Sequence, residues 1–367
     1  MVGNPFKYGV VVTGDDFVDR ERELNELKRD LLSKKSVILY SQRALGKSSL
    51  AEELFKRLGR GAICARINMY GMESRESLAE EIVRCITTSA YTSFDKMRIA
   101  VAEFLKGIKL DIVLTPDGEV RFELGKSTTS KELAEILDFA ENVAKKKGKP
   151  MIVAFDEFQE IGILDGVELE KLMRSKFQYH RNVSYLFMGS KRHLLQEIFS
   201  EESRAFYKFG KPMSLGFIPK EEFAAFISRK FEESGGSISE DAIECALNVT
   251  EGHPYYTQQL CYGMWFISKN VKDASLVEKA MREILAHEQV NYLKIWDGLS
   301  IPQRRLLTGL AREEHPNIYS ADFIDEYTLK TPSRVQRALE SLESKGIIDE
   351  NKITDIFFRE WLKREKS

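Results

Sequence analysis

Several features are missing from this sequence, and each absence narrows what the chain can be. No stretch reaches the roughly 18 consecutive apolar residues of a membrane-spanning helix, and no basic start leads into an apolar segment. Neither membrane insertion nor secretion is therefore expected, and a cytoplasmic location is. Cysteine is scarce: Cys64, Cys85, Cys245 and Cys261 lie far apart and lack the close pairing of a metal site, so reduced, partly buried thiols are the simplest reading. Neither sign of charge dominates, and a net charge of −2 gives no global attraction to nucleic acid. A local basic face remains compatible with that balance. With 367 residues, 43% of them hydrophobic, the chain is ordinary in composition but too long for one compact core, and two or three domains are expected.

What is present is organised around residues 36–58. Ser36, Val37, Ile38, Leu39 and Tyr40 form an apolar run too short for a helix, followed by the polar segment Ser41, Gln42, Arg43, Ala44, Leu45, Gly46, Lys47, Ser48 and then Ser49. Leu50, Leu54 and Leu58 recur every four residues, which places one apolar stripe on a helix packing back on the strand. A strand, a loop ending in Gly-Lys-Ser and a helix are the parts of a phosphate-binding loop. Backbone N–H groups curl round the phosphates, the lysine reaches the β- and γ-phosphates, and the hydroxyl holds Mg²⁺. The pattern asks for glycine at its first position, where this chain has Ser41. A tight strand-to-helix turn carrying a surface lysine is the competing reading.

Upstream, Thr13, Gly14, Asp15 and Asp16 make a loop, Phe17 and Val18 are apolar, and Asp19, Arg20, Glu21, Arg22 and Glu23 lead into a helix with Leu24, Leu27 and Leu31. Asp19 is placed to cap that helix. Downstream, a strand over 62–68 and a helix marked by Leu78, Ile82 and Ile86 continue an alternation of strand and helix, the pattern of a parallel sheet covered by helices. Residues 91–149 interrupt it. There, 110–114 and 119–124 flank Thr115, Pro116, Asp117 and Gly118, which predicts a hairpin insertion. The helix that follows ends in Lys145, Lys146, Lys147 and Gly148, a solvated end matching the helix dipole.

Met151 to Phe155 is a fully apolar strand with Asp156 and Glu157 at its carboxyl end, the edge where ligands of such sheets bind. Asp156 is expected to hold Mg²⁺, largely through its water shell, and Glu157 to polarise the water that attacks the γ-phosphate. A further strand, 183–188, ends in Gly189 and Ser190 and is expected between the phosphate-loop strand and the acidic strand. Ser190 would then stand between the γ-phosphate and Glu157, although a plain Gly-Ser turn explains the dipeptide equally well. Lys191, Arg192 and Arg204 are candidate cations for a phosphate, or ordinary surface charges. A short strand over 213–215 closes the core.

The chain then turns helical. Pro219 opens a helix with Phe223, Phe226, Ile227 and Phe231; Ser234, Gly235 and Gly236 break it; two more helices meet at Gly252, His253 and Pro254. We read a core over 1–215 with an insertion around 91–149, a helical lid over 216–285 and a winged-helix module over 286–367. In that last segment Pro332 opens a third helix with Val335, Ala338, Leu339 and Leu342 on one face. Its 13 basic residues are matched by 14 acidic ones, so a lid-packing or partner-binding role is favoured over DNA binding.

Taken in order, Phe17-Val18-Asp19-Arg20-Glu21-Arg22-Glu23-Leu24, the segment Tyr40 to Leu50, Phe155-Asp156-Glu157-Phe158-Gln159, Met188-Gly189-Ser190 and Gly252-His253-Pro254 resemble the archaeal-type ATPases of the signal-transducing (STAND) branch of the AAA+ superfamily, P-loop ATPases related to origin-recognition initiators. The resemblance implies that Val18, Asp19 and Arg20 lie against an adenine and that His253 and Pro254 approach the base or phosphates from the lid. Serine at the first loop position also occurs in this family, whereas Ala44 stands where the family often has a second arginine. ATP rather than GTP rests on the resemblance, since no Asn-Lys-x-Asp guanine-reading motif is present. Three functions follow as expectations: a slow ATP-hydrolysing switch with a protein partner or self-association, a nucleotide-regulated DNA-binding initiator or mobile-element ATPase, or a nucleotide-bound scaffold that barely turns over.

Overall fold

The computed structural model describes residues 3–108, 110–115, 120–125 and 129–365. They divide into two compact units, one of Val11–Ser41 with Gly46–Gly216, the other of residues up to Val10 with Gln42–Leu45 and Phe217–Ser367. Among the described residues no helix is long and apolar enough to cross a membrane.

The first unit is built on a five-stranded sheet. In chain order it contains α1 (Glu21–Leu32), β1 (Val37–Tyr40), α2 (Lys47–Leu58), β2 (Ile63–Asn68), α3 (Arg75–Ala90), α4 (Phe94–Phe104), β3 (Leu110–Leu114), β4 (Val120–Leu124), α5 (Ser130–Lys147), β5 (Met151–Asp156), α6 (Ile161–Leu164), α7 (Gly166–Phe177), β6 (Val183–Gly189), α8 (Arg192–Ser200) and β7 (Lys211–Ser214). The sheet order is β2-β5-β6-β1-β7 and every pairing is parallel. β6 thus lies between the phosphate-loop strand and the acidic strand, as expected. β5 and β6 are buried along their whole length, the consequence of apolar side chains on both faces of a covered parallel sheet. Beneath their carboxyl ends Phe155 stacks on Phe187 with ring centroids 5.9 Å apart, and Phe158 meets Phe187 at 4.6 Å. Phe199 and Phe206 complete this aromatic floor.

The insertion holds the expected antiparallel hairpin, β3 with β4, whose turn residues Pro116, Asp117 and Gly118, with Glu119, lie outside the described residues. It also holds α4, which the sequence reading did not foresee. The hairpin is tied to α3 through its last residue, where Leu124 N–H donates to Glu80 Oε1 at 2.7 Å. Asp19 does not cap α1. The N-cap is Arg20, and both residues adopt left-handed backbone angles, φ 50° and 69°, so the chain enters the helix through a bend rather than a side-chain cap. Burial pushes the Cys64 and Cys85 thiols up to about 12, which makes them inert rather than nucleophilic.

The second unit contains α9 (Lys220–Glu233), β8 (Ser237–Ile238), α10 (Glu240–Thr250), α11 (Pro254–Ile267), β9 (Asn270–Val271), α12 (Ala274–Asp297), α13 (Ile301–Arg312), α14 (Ala321–Glu326), α15 (Pro332–Ser344), β10 (Ile348–Asp349), β11 (Lys352–Ile353) and α16 (Ile356–Glu365). α13 to α15 followed by the β10–β11 ribbon give the three helices and wing of a winged helix. α12 runs unbroken through the 285/286 boundary. The start of the chain, grouped with the core in the sequence reading, clusters here instead. Asn4 Nδ2 donates to Tyr262 O at 3.0 Å, Phe6 packs on Phe226 and Phe231, and Tyr8 meets Tyr255 and Tyr262 edge-on. Gly252 is required where it stands: it has φ 77°, and a Cβ there would fall 2.3 Å from Ile218 O.

Candidate functional site

The site in the first unit is assembled at the carboxyl ends of β1, β5 and β6, where the parallel strands all point their last residues toward one edge. The apolar run of β1 stops at Ser41, and α2 begins at Lys47 with Gly46 as its N-cap. Gly46 has φ 87° and Ala44 φ 58°, so two left-handed residues flank the buried Leu45 and curl the backbone into the kind of N–H concavity that takes anions. Ser41 adopts no positive φ. Its position therefore makes no conformational demand for glycine, and its hydroxyl has its own contact: Lys47 Nζ donates to Ser41 Oγ at 3.0 Å and to Ser41 O at 3.3 Å. Lys47 is buried, and a buried ammonium needs such acceptors.

Ser48 Oγ donates to Asp156 Oδ2 across 2.7 Å, joining the start of α2 to the end of β5. Arg66 of β2, which the sequence reading did not single out, also reaches Asp156 Oδ2, at 3.3 Å, and pairs with Glu52 at 2.9 Å. Its charge balances a carboxylate that is only 6% exposed. Asp156 Oδ1 accepts from Glu157 N–H at 3.1 Å. Glu157 itself has φ 52°, a conformation that costs a non-glycine residue free energy and that recurs at functional sites. Its Oε2 accepts from Ser190 Oγ at 2.9 Å and from Gln159 Nε2 at 2.5 Å. The hydroxyl of Ser190 thus meets the carboxylate of Glu157 directly.

Val18 and Arg20 are buried and Asp19 is half-buried. Burial pulls the Arg20 pKa down while Glu23, paired at 3.0 Å, pulls it up, and the second arm of the guanidinium donates to Gly216 O at 2.6 Å. The segment before them is tied to α2, since Val12 N–H donates to Ser49 Oγ at 3.1 Å and Gly14 N–H to Glu53 Oε2 at 2.8 Å. Gln42 and Arg43 form the tip of the loop, with Arg43 exposed. His253 and Pro254 belong to the second unit. His253 is the N-cap of α11, its ring buried between Phe217 and Tyr256, and Pro254 occupies the first helical turn, where a missing N–H costs nothing. Of the basic candidates, Lys191 pairs with Glu160 at 3.2 Å, Arg192 lies over the Tyr40 ring, and Arg204 is clamped by Glu170 and Glu197.

A strand-loop-helix phosphate cradle, a hydroxyl facing a strand-end carboxylate, and the inserted strand β6 define a P-loop ATPase fold. Residues 17–260 match the model of an ATPase domain found predominantly in Archaea, and the chain belongs to that family. Residues 290–364 match a probable winged helix domain. Among solved structures, a Walker-type ATPase of Pyrococcus abyssi is similar over 98% of this chain and 99% of its own, with 20% identity and a TM-score of 0.69. The ADP form of the ORC2 protein of Aeropyrum pernix shares 13% identity at a TM-score of 0.55, covering 96% and 97%. The ORC1 protein of the same organism, in complex with DNA, shares 16% at 0.51, covering 95% and 93%. At these identities the likeness is one of fold. No protein of curated function matches the chain in sequence.

Proposed function

We propose that this chain binds ATP with Mg²⁺ and hydrolyses it slowly, as a nucleotide-dependent switch of the STAND type whose helical lid and winged helix respond to the nucleotide bound on the ATPase core. The observation that carries this reading is the 2.7 Å contact between Ser48 and Asp156, which sets a loop hydroxyl against a strand-end carboxylate. An oxygen-only donor pair of this kind suits a hard divalent cation. Ser48 and Asp156 are the residues that would hold magnesium, which when bound would supply charge neutralisation at the phosphate oxygens. Lys47 takes up the β- and γ-phosphate charge, and the N–H groups of 41–48 line the phosphates. Glu157 accepts a proton from the attacking water as its oxygen bonds to the γ-phosphorus; the bond to the β,γ-bridging oxygen breaks, and ADP leaves with that electron pair. Ser190 steadies Glu157 through its hydroxyl. Val18, Asp19 and Arg20 contact the adenine, and His253 and Pro254 answer the nucleotide from the lid.

The test is binding of labelled ATP with Mg²⁺ followed by phosphate release. Glu157→Gln should keep ATP bound while hydrolysis falls by about 10²-fold or more, and Lys47→Ala should weaken binding itself. Hydrolysis at the wild-type rate by Glu157→Gln would refute the catalytic assignment, and bound nucleotide with no wild-type turnover would make the protein a scaffold. The winged-helix match supports a second reading, a nucleotide-controlled DNA binder. The exposed face of α15 weighs against it, because Arg334 and Arg337 in its first half are followed by Glu340 and Glu343 in its second, with no net positive charge among the four. Repeating both assays with duplex DNA at two salt concentrations decides between them: DNA affinity that depends on nucleotide and falls steeply with salt supports DNA binding, while turnover indifferent to DNA supports a switch acting on a protein partner or a second copy.

A further inference from the structure

We infer that Gln159 is a positioning residue that aims Glu157, and that Gly189 leaves the space its amide occupies. The inference rests on the reading of Glu157 as the hydrolytic base. Gln159 lies on the single helical turn Phe158–Glu160 directly after β5 and is only 5% exposed. Its Nε2 donates to Glu157 Oε2 at 2.5 Å and faces Glu160 Oε1 at 3.5 Å, so both nearby acceptors are carboxylates. That fixes the orientation of the amide, since a flip would turn its oxygen toward two anions. The oxygen instead points at the end of β6, where Oε1 is buried without a hydrogen-bond partner. A Cβ on Gly189 would stand 2.1 Å from that oxygen and 2.9 Å from Leu195 Cδ1.

An orphaned buried carbonyl works against stability, and a methionine of the same length would remove the penalty. What glutamine supplies instead is a donor to Glu157. Phe158, fully buried against Phe187, anchors the turn between the two residues and holds them at a fixed spacing. Gln159 and Ser190 then converge on one oxygen of Glu157 from two different strand ends, which holds the carboxylate in one rotamer. For a base that must meet a water in line with the γ-phosphate, misplacement by about 1 Å can cost on the order of 10²-fold in rate.

The experiment compares Gln159→Met, which keeps the length and loses the donor, with Gln159→Glu, which keeps the shape and replaces the donor by an acceptor. Single-turnover ATP hydrolysis and the Kd for a fluorescent ADP are measured in the wild-type and Glu157→Gln backgrounds. Both variants should lose at least tenfold in hydrolysis with Kd changed less than twofold, and neither should lower the residual rate further once Glu157 is Gln. A wild-type rate in both variants alongside an inactive Glu157→Gln overturns this inference and leaves the base assignment intact. A loss that persists in the Glu157→Gln background, or one accompanied by loss of ADP binding, makes Gln159 structural and also overturns it. Normal hydrolysis by Glu157→Gln, or none by the wild type, removes both readings together.

Discussion

Arg204 is the residue at which a structural and a catalytic reading part most cleanly. Its guanidinium grips Glu170 with two nitrogens, Nε at 3.1 Å from Oε2, and its third nitrogen contacts Glu197. Glu170 is fully buried on α7, while Arg204 is 16% exposed and Glu197, at 43%, is by far the more solvent-exposed of the two carboxylates. Glu197 therefore contributes little, and the energetic weight falls on Glu170. Truncation to Arg204→Ala would leave that carboxylate buried and uncompensated, for which the expected cost is about 3–5 kcal/mol. In a unit of this size that corresponds to a fall in Tm of roughly 6–20 °C. Thermal unfolding followed by circular dichroism measures it. A paired replacement, Glu170→Leu with Arg204→Met, removes both charges and should recover most of the loss. An Arg204→Ala protein that melts at the wild-type temperature but hydrolyses ATP much more slowly would refute the reasoning and make Arg204 a cation acting on phosphate.

Other perturbations probe neighbouring parts of the molecule. Gly189→Ala sets a methyl group against Gln159 and Leu195; we expect about 1–3 kcal/mol of destabilisation from overpacking together with slower hydrolysis, and unchanged kinetics would show that the space is not needed. Asp355, at the start of α16, accepts from Phe358 N–H at 2.9 Å, and burial holds its carboxyl above the ordinary range, with Glu288 adding to the effect while the Tyr256 hydroxyl and the Phe357 and Phe358 N–H groups oppose it. Below the ordinary aspartate value both folded and unfolded chains carry the proton. As pH rises from there through the raised folded value, the unfolded chain loses its proton first, so the stability contribution declines. Asp355→Asn should flatten that decline and raise the Tm at neutral pH relative to the wild type, and a pH–Tm profile with the wild-type slope would contradict it.

Much of the site was legible in the sequence because its parts are local. The short apolar run before Ser41, the four-residue leucine spacing after it and the acidic pair after Met151–Phe155 each occupy a few consecutive residues, and each element formed within a residue or two of where its pattern put it. Arg66 escaped notice for the opposite reason. An arginine in a strand reads as an outward-facing charge until β2 is known to pair with β5, in a register that sets Arg66 opposite Ala154. Gln159 closes the segment Phe155-Asp156-Glu157-Phe158-Gln159, yet nothing in the order of residues says that its amide bends back to Glu157. Asp19 has the residue type and the place of a helix cap, but the left-handed angles of Asp19 and Arg20 set the helix start one residue on.

Residue chemistry and short-range periodicity determined the class of this protein: a phosphate loop, a carboxylate pair after a buried strand, and a helical and winged-helix C-terminal half. Hydrophobic period and turn chemistry act over a few residues, so they survive in the sequence without any knowledge of what packs against what. Tertiary structure alone decided which charges meet. Ser48 contacts a carboxylate 108 positions away and Arg66 one 90 positions away, and Ser190 reaches across 33 residues to Glu157. Those distances are closed by the order in which parallel strands are laid side by side, and strand order depends on the whole sheet being covered rather than on any stretch of chain by itself.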